Sequence, residues 1–291
     1  MNTAGKLSAY GVALTLVAAC GWMIGSAVGP VNSGDATAAP SMAGHGDTHS
    51  GTVAGHLDEP AGLASSRGGY TLMPTTTTLP TGTPTTFSFR ITGPDGHAVT
   101  HFDVEHEKRM HLIVVRRDTA GFQHIHPTMS TDGTWSVPLT LAAPGSYRAF
   151  VDFTPAGGEG TTLGVDVSAP GDFQPRDYRP SQASTVDGYE VTFDGHLVAG
   201  KMSKVTLTVT KDGKPVTDLQ PYLGAYGHLV ALRTGDLAYL HVHPDGEPGK
   251  TPAGPTVTFY AEVPTAGTYR LFLDFKHGDT VRTAEFTVMG S

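Results

Sequence analysis

An internal duplication constrains what this chain can fold into. The segment Phe122–Pro127 (FQHIHP) recurs 117 positions later as Tyr239–Pro244 (YLHVHP). In both copies, another histidine opens an apolar run thirteen residues before the first motif histidine. A repeat on this scale in a chain of 291 residues predicts two similar domains of about 100 residues each. Because each copy keeps three histidines, the repeat also predicts a ligand cluster rather than scattered imidazoles.

The folded part of the chain is expected to be all-β. From Tyr70 onward, short runs of alternating apolar residues are separated by turn signals every 8 to 12 residues. The Gly-x-Tyr sequences ending at Tyr147 and Tyr269 resemble the tyrosine corner of immunoglobulin-like sandwiches. The predicted fold is two tandem immunoglobulin-like β-sandwich domains after an N-terminal hydrophobic segment and a disordered linker. Strands of the first copy are predicted at residues 85–91, 111–116, 122–126, 134–139, 147–153 and 161–167.

Composition shifts divide the chain into five segments. Residues 31–66 are rich in small and polar side chains, contain several histidines and carry almost no large apolar residues, which is typical of a flexible tether. A second, proline-containing stretch separates the two copies and is typical of a stiff connector. The predicted segments are a signal or transmembrane anchor (1–30), the tether (31–66), domain 1 (67–168), a Pro-rich linker (169–187) and domain 2 (188–291).

The N-terminal segment predicts export. Lys6 is followed by an uncharged, largely apolar run from residue 7 to residue 34. Three interpretations are open: an uncleaved spanning helix, a lipoprotein signal that leaves Cys20 as a lipidated N-terminus, or a cleaved secretion signal. All three place the folded domains on the extracytoplasmic side, and we expect a protein anchored N-terminally to the cell membrane.

Charge and cysteine content exclude several classes of protein. The formal net charge is -8 and no basic cluster is present, so nucleic acid is not an expected partner. Cys20 is the only cysteine, which excludes an intramolecular disulfide and a thiolate metal site in the folded part. No motif typical of a catalytic site is found, and we expect a protein that is not an enzyme.

The first copy supplies a candidate metal site. Strand alternation places His124 and His126 on one face, and a hairpin would bring His111 close to them. Three imidazoles with an open fourth position suit a copper or zinc ion, and His106, just upstream, is the candidate fourth ligand.

The second copy supplies a second candidate site. Its equivalent histidines are His228, His241 and His243. Asp152 and Asp274, one in each copy, are either hydrogen-bond acceptors for the N–H group of a ligand histidine or exposed carboxylates of a strand face. Two other interpretations of the histidine set stay open: structural hydrogen bonding, and a functional surface without metal.

The repeated segments resemble those of a known family. They span residues 104–117, 121–127, 219–230 and 240–244 and are similar to exported, membrane-anchored bacterial proteins with tandem His-x-His-Pro β-sandwich modules. That family is largely uncharacterised, and its modules occur beside heavy-metal and copper-handling components. The resemblance covers about residues 67–288 and implies a metal-handling role, with no protein partner indicated. In architecture alone, the chain also resembles small β-sandwich copper carriers of the bacterial envelope. The alternative function is a cell-surface structural or protein-interaction module.

Overall fold

The computed structural model describes residues 60–240 and 242–291, except for the side chain of His243. The predicted export segment (1–30) and most of the predicted tether (31–59) lie outside the described residues. All regular secondary structure in the described part is β-strand. Within that part, no helix is long and apolar enough to span a membrane.

The first domain is a sandwich of two antiparallel sheets. Its strands are β1 (Ser66–Arg67), β2 (Tyr70–Pro74), β3 (Thr85–Thr92), β4 (His111–Arg116), β5 (Gln123–Ile125), β6 (Thr128–Met129), β7 (Trp135–Leu139), β8 (Gly145–Phe153) and β9 (Thr161–Ala169). One sheet has the order β1-β2-β3-β7-β6 and the other has the order β5-β4-β8-β9. With β2 taken as strand A, these orders correspond to the A-B-E-D and C′-C-F-G sheets of an immunoglobulin-like sandwich.

The second domain repeats this arrangement. Its strands are β10 (Ala183–Val186), β11 (Tyr189–Gly195), β12 (Met202–Lys211), β13 (Lys214–Pro215), β14 (His228–Arg233), β15 (Tyr239–Leu240), β16 (Val242–Asp245), β17 (Thr256–Glu262), β18 (Gly267–His277) and β19 (Thr280–Gly290). One sheet has the order β10-β11-β12-β17-β16, with β13 paired to β12, and the other has the order β15-β14-β18-β19. The predicted all-β fold of two tandem immunoglobulin-like domains is therefore confirmed.

Alternating side chains give each domain its own core. In β3, for example, Phe87, Phe89 and Ile91 are fully buried while the residues between them are not. The tyrosine corners form as predicted. The hydroxyl of Tyr147 donates to the carbonyl of Ala143 at 2.7 Å, and the equivalent bond from Tyr269 to the carbonyl of Thr265 is 2.6 Å long.

A third apolar cluster joins the two domains. The ring of Phe122 stacks on Phe272, with centroids 4.0 Å apart and planes 5° apart. Tyr239, the counterpart of Phe122 in the second domain, packs on Phe150 of the first at 5.7 Å. These contacts are reciprocal, as at an isologous dimer interface. The buried residues of the cluster come from both C′-C-F-G sheets and their loops: Ile113, Val115, Phe150, Val230, Leu232, Leu237 and Phe272.

Two segments predicted to be linkers carry regular structure. The end of the predicted tether runs along β9, where the amide of Gly62 donates to the carbonyl of Thr162 and the amide of Gly164 donates to the carbonyl of Ala64. Strand β10 lies inside the predicted Pro-rich linker and pairs with β11. Backbone hydrogen bonding to a neighbouring strand orders both segments despite their polar composition.

Candidate metal centre

Three histidines of the first domain converge on the face of β4 and β5 that meets the second domain. His111 is the first residue of β4. His124, in β5, pairs with Ile113 of β4, and His126 follows the end of β5. Their ring centroids are 4.9 to 5.4 Å apart. One ring nitrogen from each histidine lies within 4.8 Å of the other two. Strand alternation and the β4–β5 hairpin thus bring these imidazoles together, as the spacing of the motif leads one to expect.

Hydrogen bonds on the outer side of two rings fix where their protons lie. Nε2 of His111 is 3.1 Å from the carbonyl oxygen of Glu105. Nδ1 of His124 is 2.8 Å from Oδ2 of Asp274. Because carbonyl and carboxylate oxygens only accept, we assign the ring protons to Nε2 of His111 and Nδ1 of His124.

The inward nitrogens of these rings then carry lone pairs. Nδ1 of His111 and Nε2 of His124 face each other at 3.1 Å. Nε2 of His126 lies 3.2 Å from the same His111 nitrogen. Two imidazole lone pairs at such a distance repel unless a cation lies between them, and that cation is either a proton or a metal ion.

Asp274 reaches the cluster from the second domain. In register, it pairs with His228 on the neighbouring strand, yet its carboxylate contacts His124 of the first domain. The hydroxyl of Thr283 donates to its other oxygen at 2.6 Å, and the Asp274 residue is only 3% exposed. Asp274 is therefore placed to orient a ligand ring across the domain interface.

Asp152 is the counterpart of Asp274 in the first domain. It pairs with His111 in register, and the hydroxyl of Thr162 donates to it at 2.8 Å. The position equivalent to His124 in the second domain is His241, which lies outside the described residues, as does the side chain of His243.

His228 and His106 extend the cluster. The ring of His228 lies 6.2 Å from that of His111, 6.0 Å from that of His124 and 4.8 Å from that of His106. The sequence predicts one site in each domain, with His228 in the second. The structure places His228 beside the histidines of the first domain, because the two C′-C-F-G sheets pack face to face.

Burial keeps several of these rings neutral. It lowers the pKa of His111 to about 4 and the pKa of both His126 and His228 to about 3, and the positive charges that neighbouring histidines can acquire lower them further. At neutral pH these imidazoles are unprotonated, which is the state that binds metal ions.

Tyr222 borders the cluster and is not among the site residues predicted from the sequence. Its ring lies 6.4 Å from the rings of His126 and His228, and burial raises its pKa to about 12. Tyr222 corresponds to Glu105 of the first copy, 117 residues earlier. The repeat therefore shows that the two positions are equivalent, but it does not predict that Tyr222 lies beside the histidine cluster. Tyr226, four residues further along the chain, accepts a hydrogen bond from the amide of Gly249 at 3.3 Å.

The fold and the cluster together define the class of protein. It is a tandem immunoglobulin-like protein with a partly buried histidine cluster where its two domains meet. The chain belongs to the family described as "Domain of unknown function (DUF8832)", whose model matches residues 65–171 and again residues 184–290. The match confirms the duplication, while the association with metal handling stays a prediction.

Several solved structures are similar to the chain. An Escherichia coli adhesin, FdeC, shares 17% identity over 78% of this chain and 65% of its own, with a TM-score of 0.25. Invasin, a bacterial integrin-binding protein, shares 12% over 75% of this chain and 39% of its own, with a TM-score of 0.23. This chain thus spans less than two thirds of the length of either. The D00-D0 domain of intimin shares 9% over 76% of this chain and 99% of its own, also at 0.23.

TM-scores this low establish no shared fold, and the assignment of the fold rests on the strand order and the family match. Among curated proteins, none matches the chain.

Proposed function

We propose that this protein binds a copper or zinc ion through Nδ1 of His111, Nε2 of His124 and Nε2 of His126. The observation that carries the proposal is the 3.1 Å approach of Nδ1 of His111 to Nε2 of His124. Glu105 and Asp274 hold the protons of these rings on the far side, so a cation is required between the inward nitrogens. A metal ion satisfies this requirement at neutral pH, where protons are scarce.

The separations between the nitrogens support this proposal. For metal–nitrogen bonds of about 2.0–2.1 Å, two ligands of a tetrahedral ion are about 3.3–3.4 Å apart. His111 Nδ1 lies 3.1 Å from the His124 nitrogen and 3.2 Å from the His126 nitrogen. Small outward rotations of the rings would admit the ion and leave a fourth position for water. An all-nitrogen donor set suits Cu(II) and Zn(II), and intrinsic affinity favours copper where both are present.

The proposed setting is extracytoplasmic. The uncharged run that follows Lys6 supports export and attachment to the cell membrane, with both domains outside the cytoplasm. The role that fits this setting is binding of the ion in metal resistance or trafficking, without catalysis.

Metal stoichiometry tests the proposal. The full chain is loaded with Cu(II) or Zn(II), desalted and analysed for metal, beside the double variant His124→Ala, His126→Ala. The control is His97→Ala, His101→Ala, which removes two exposed imidazoles from the same domain. We expect the first variant to lose the ion bound by the wild type and the control to retain it. Equal metal content in all three proteins would refute the site.

A second candidate function is a cell-surface structural or interaction module. The observation that favours it is the apolar interdomain cluster together with the His124–Asp274 bond, which join the domains without any ion. In that case, the histidines would serve domain packing alone. Thermal melts with and without Cu(II) or Zn(II) separate the two functions, because a ligand at a hundred times its Kd stabilises the native state by about 2.7 kcal/mol.

A further inference from the structure

The proposed ion site is buried, so an ion needs a route to it. His111 is 6% exposed, and the side chain of His124 is 4% exposed. A functional metal site needs a path along which the ion enters and leaves. Of the five clustered imidazoles, that of His106 is the exposed one. Such a route presupposes the proposed metal site.

His106 lies at the tip of a tight turn between Glu105 and Lys108. The backbone amides and carbonyls of Glu105 and Lys108 are reciprocally hydrogen bonded, at 2.8 and 3.0 Å. His106 and Glu107 both have positive φ, 48° and 63°, as in a type I′ turn. The turn therefore holds the exposed imidazole of His106 at a fixed place beside the cluster.

A surface cleft leads to this place. It has a volume of about 610 Å³, and both His106 and His111 line it, with Lys108 and Glu159 among its polar residues. A hydrated metal ion in this cleft would therefore meet the exposed imidazole of His106 and the buried imidazole of His111.

His228 faces His106 from the second domain. The two ring centroids are 4.8 Å apart, and their planes are nearly perpendicular, at 86°. This separation matches the 4.9 to 5.4 Å found among the three rings of the proposed site. Nε2 of His228 is 3.1 Å from the carbonyl of Leu223, so its proton lies there and Nδ1 carries the lone pair.

We propose that His106 and His228 form an outer ion position that takes hydrated Cu(II) or Zn(II) from the cleft and passes it to the inner site. The transfer is ligand exchange. Bonds from the ion to His106 and His228 are replaced by bonds to His111, His124 and His126, and the water ligands return to solvent. No electron is transferred, and the charge of the ion is unchanged. His228 lies 6.0 to 6.2 Å from His111 and His124, so the two positions are adjacent.

The second domain shows that the turn itself does not require histidine. Its equivalent turn, Tyr222 to Ala225, has the same reciprocal backbone hydrogen bonds. Leu223 occupies the position of His106 with a φ of 54° and is buried. The backbone conformation is thus compatible with leucine, and the imidazole in the first domain needs another reason.

His106→Leu tests the outer position, because it installs the residue that the second domain carries in the same turn. Stopped-flow mixing with Cu(II) or Zn(II) measures the rate of uptake, and mixing the loaded protein with a chelator measures the rate of release. His101→Leu, a change at an exposed histidine of the same domain, is the control. We expect His106→Leu to slow uptake by about tenfold, because the entering ion loses one of the two imidazoles of the outer position; a tenfold change corresponds to about 1.4 kcal/mol in the barrier. Release should slow by the same factor, because a route serves both directions, while stoichiometry and Kd stay close to wild type.

Two outcomes would overturn the outer position. Unchanged rates in His106→Leu would show that ions reach the inner site without His106. Loss of bound metal in the same variant would make His106 a ligand of the resident ion instead. If wild-type protein binds no ion, the proposed function itself fails, which is a different result from either of these.

Discussion

Asp274, whose side chain crosses the domain interface to His124, allows a test of how the protein orients the proposed ligands. Asp274 accepts hydrogen bonds from Nδ1 of His124 at 2.8 Å and from Thr283 Oγ1 at 2.6 Å. Asp274→Asn keeps the shape, and its amide oxygen can still accept from His124 while its NH2 group donates to the threonine hydroxyl. The substitution therefore removes the negative charge and leaves the hydrogen bonds largely intact.

The expected loss of metal affinity follows from the effect of the Asp274 charge on His124. A carboxylate behind a ligand imidazole raises its basicity and fixes its orientation, and loss of such a partner typically weakens metal binding by about 10- to 100-fold. This corresponds to about 1.4 to 2.7 kcal/mol of binding free energy. Because Asp274 is 3% exposed, solvent screens its charge little, and we expect an effect inside this range.

Competition titration against a chromophoric chelator measures the effect. Asp166→Asn is the matched control, because its side chain is 71% exposed and pairs with Arg148 rather than with a histidine. We expect Asp274→Asn to raise the Kd for Cu(II) or Zn(II) by at least about tenfold and the control to leave it unchanged. Equal affinity in both variants and the wild type would refute the role of Asp274 in the site.

Two further predictions concern the metal-free protein. Burial lowers the pKa of His111 to about 4, whereas a histidine in the unfolded chain has a pKa near 6.5. Below about pH 6.5 the unfolded state therefore binds more protons than the folded state. The protein loses stability as the pH falls through 6.5 toward 4. We expect the free energy of unfolding in urea to drop by about 2 kcal/mol from His111 alone between pH 7.5 and pH 5, and a flat profile over this range would contradict the assigned burial. Phe272→Ala removes a fully buried ring that stacks on Phe122, and we expect it to destabilise the protein by about 3–5 kcal/mol and to expose the junction to proteolysis. Wild-type melting and cleavage would show that the interdomain cluster contributes little.

Local patterns predicted six of the nine strands of the first domain and missed β1, β2 and β6. The strand predicted at residues 111–116 is β4 residue for residue, and the predicted strand 85–91 is one residue shorter than β3. These strands are defined by runs of apolar residues between turn signals, which the sequence shows directly. The short strands β1 and β6 have two residues each and follow only from pairing with their neighbours.

The packing of the two domains could not be predicted from the alternation pattern alone. One signal was available in β4, whose run from Leu112 to Val115 is apolar at every position. A strand buried on only one face alternates, and a continuous apolar run indicates burial on both faces. In the structure, Leu112 and Val114 face the domain core, while Ile113 and Val115 face the other domain.

The same packing explains what the sequence could and could not predict of the candidate site. The approach of His111, His124 and His126 follows from strand alternation and one hairpin, both local. The positions of His228 and Asp274 beside them depend on how two domains meet, and the repeat spacing carries no information about that contact.

Locating a bound ion tests the central claim most directly. Crystals of the protein loaded with Zn(II) or Cu(II) would be measured at the absorption edge of the metal, and the anomalous signal gives the position of the ion. We expect a peak about 2.0–2.1 Å from Nδ1 of His111, Nε2 of His124 and Nε2 of His126, with Asp274 still bonded to His124. Loaded crystals without a peak among these three rings, or with the only peaks at other residues, would contradict the proposed metal centre.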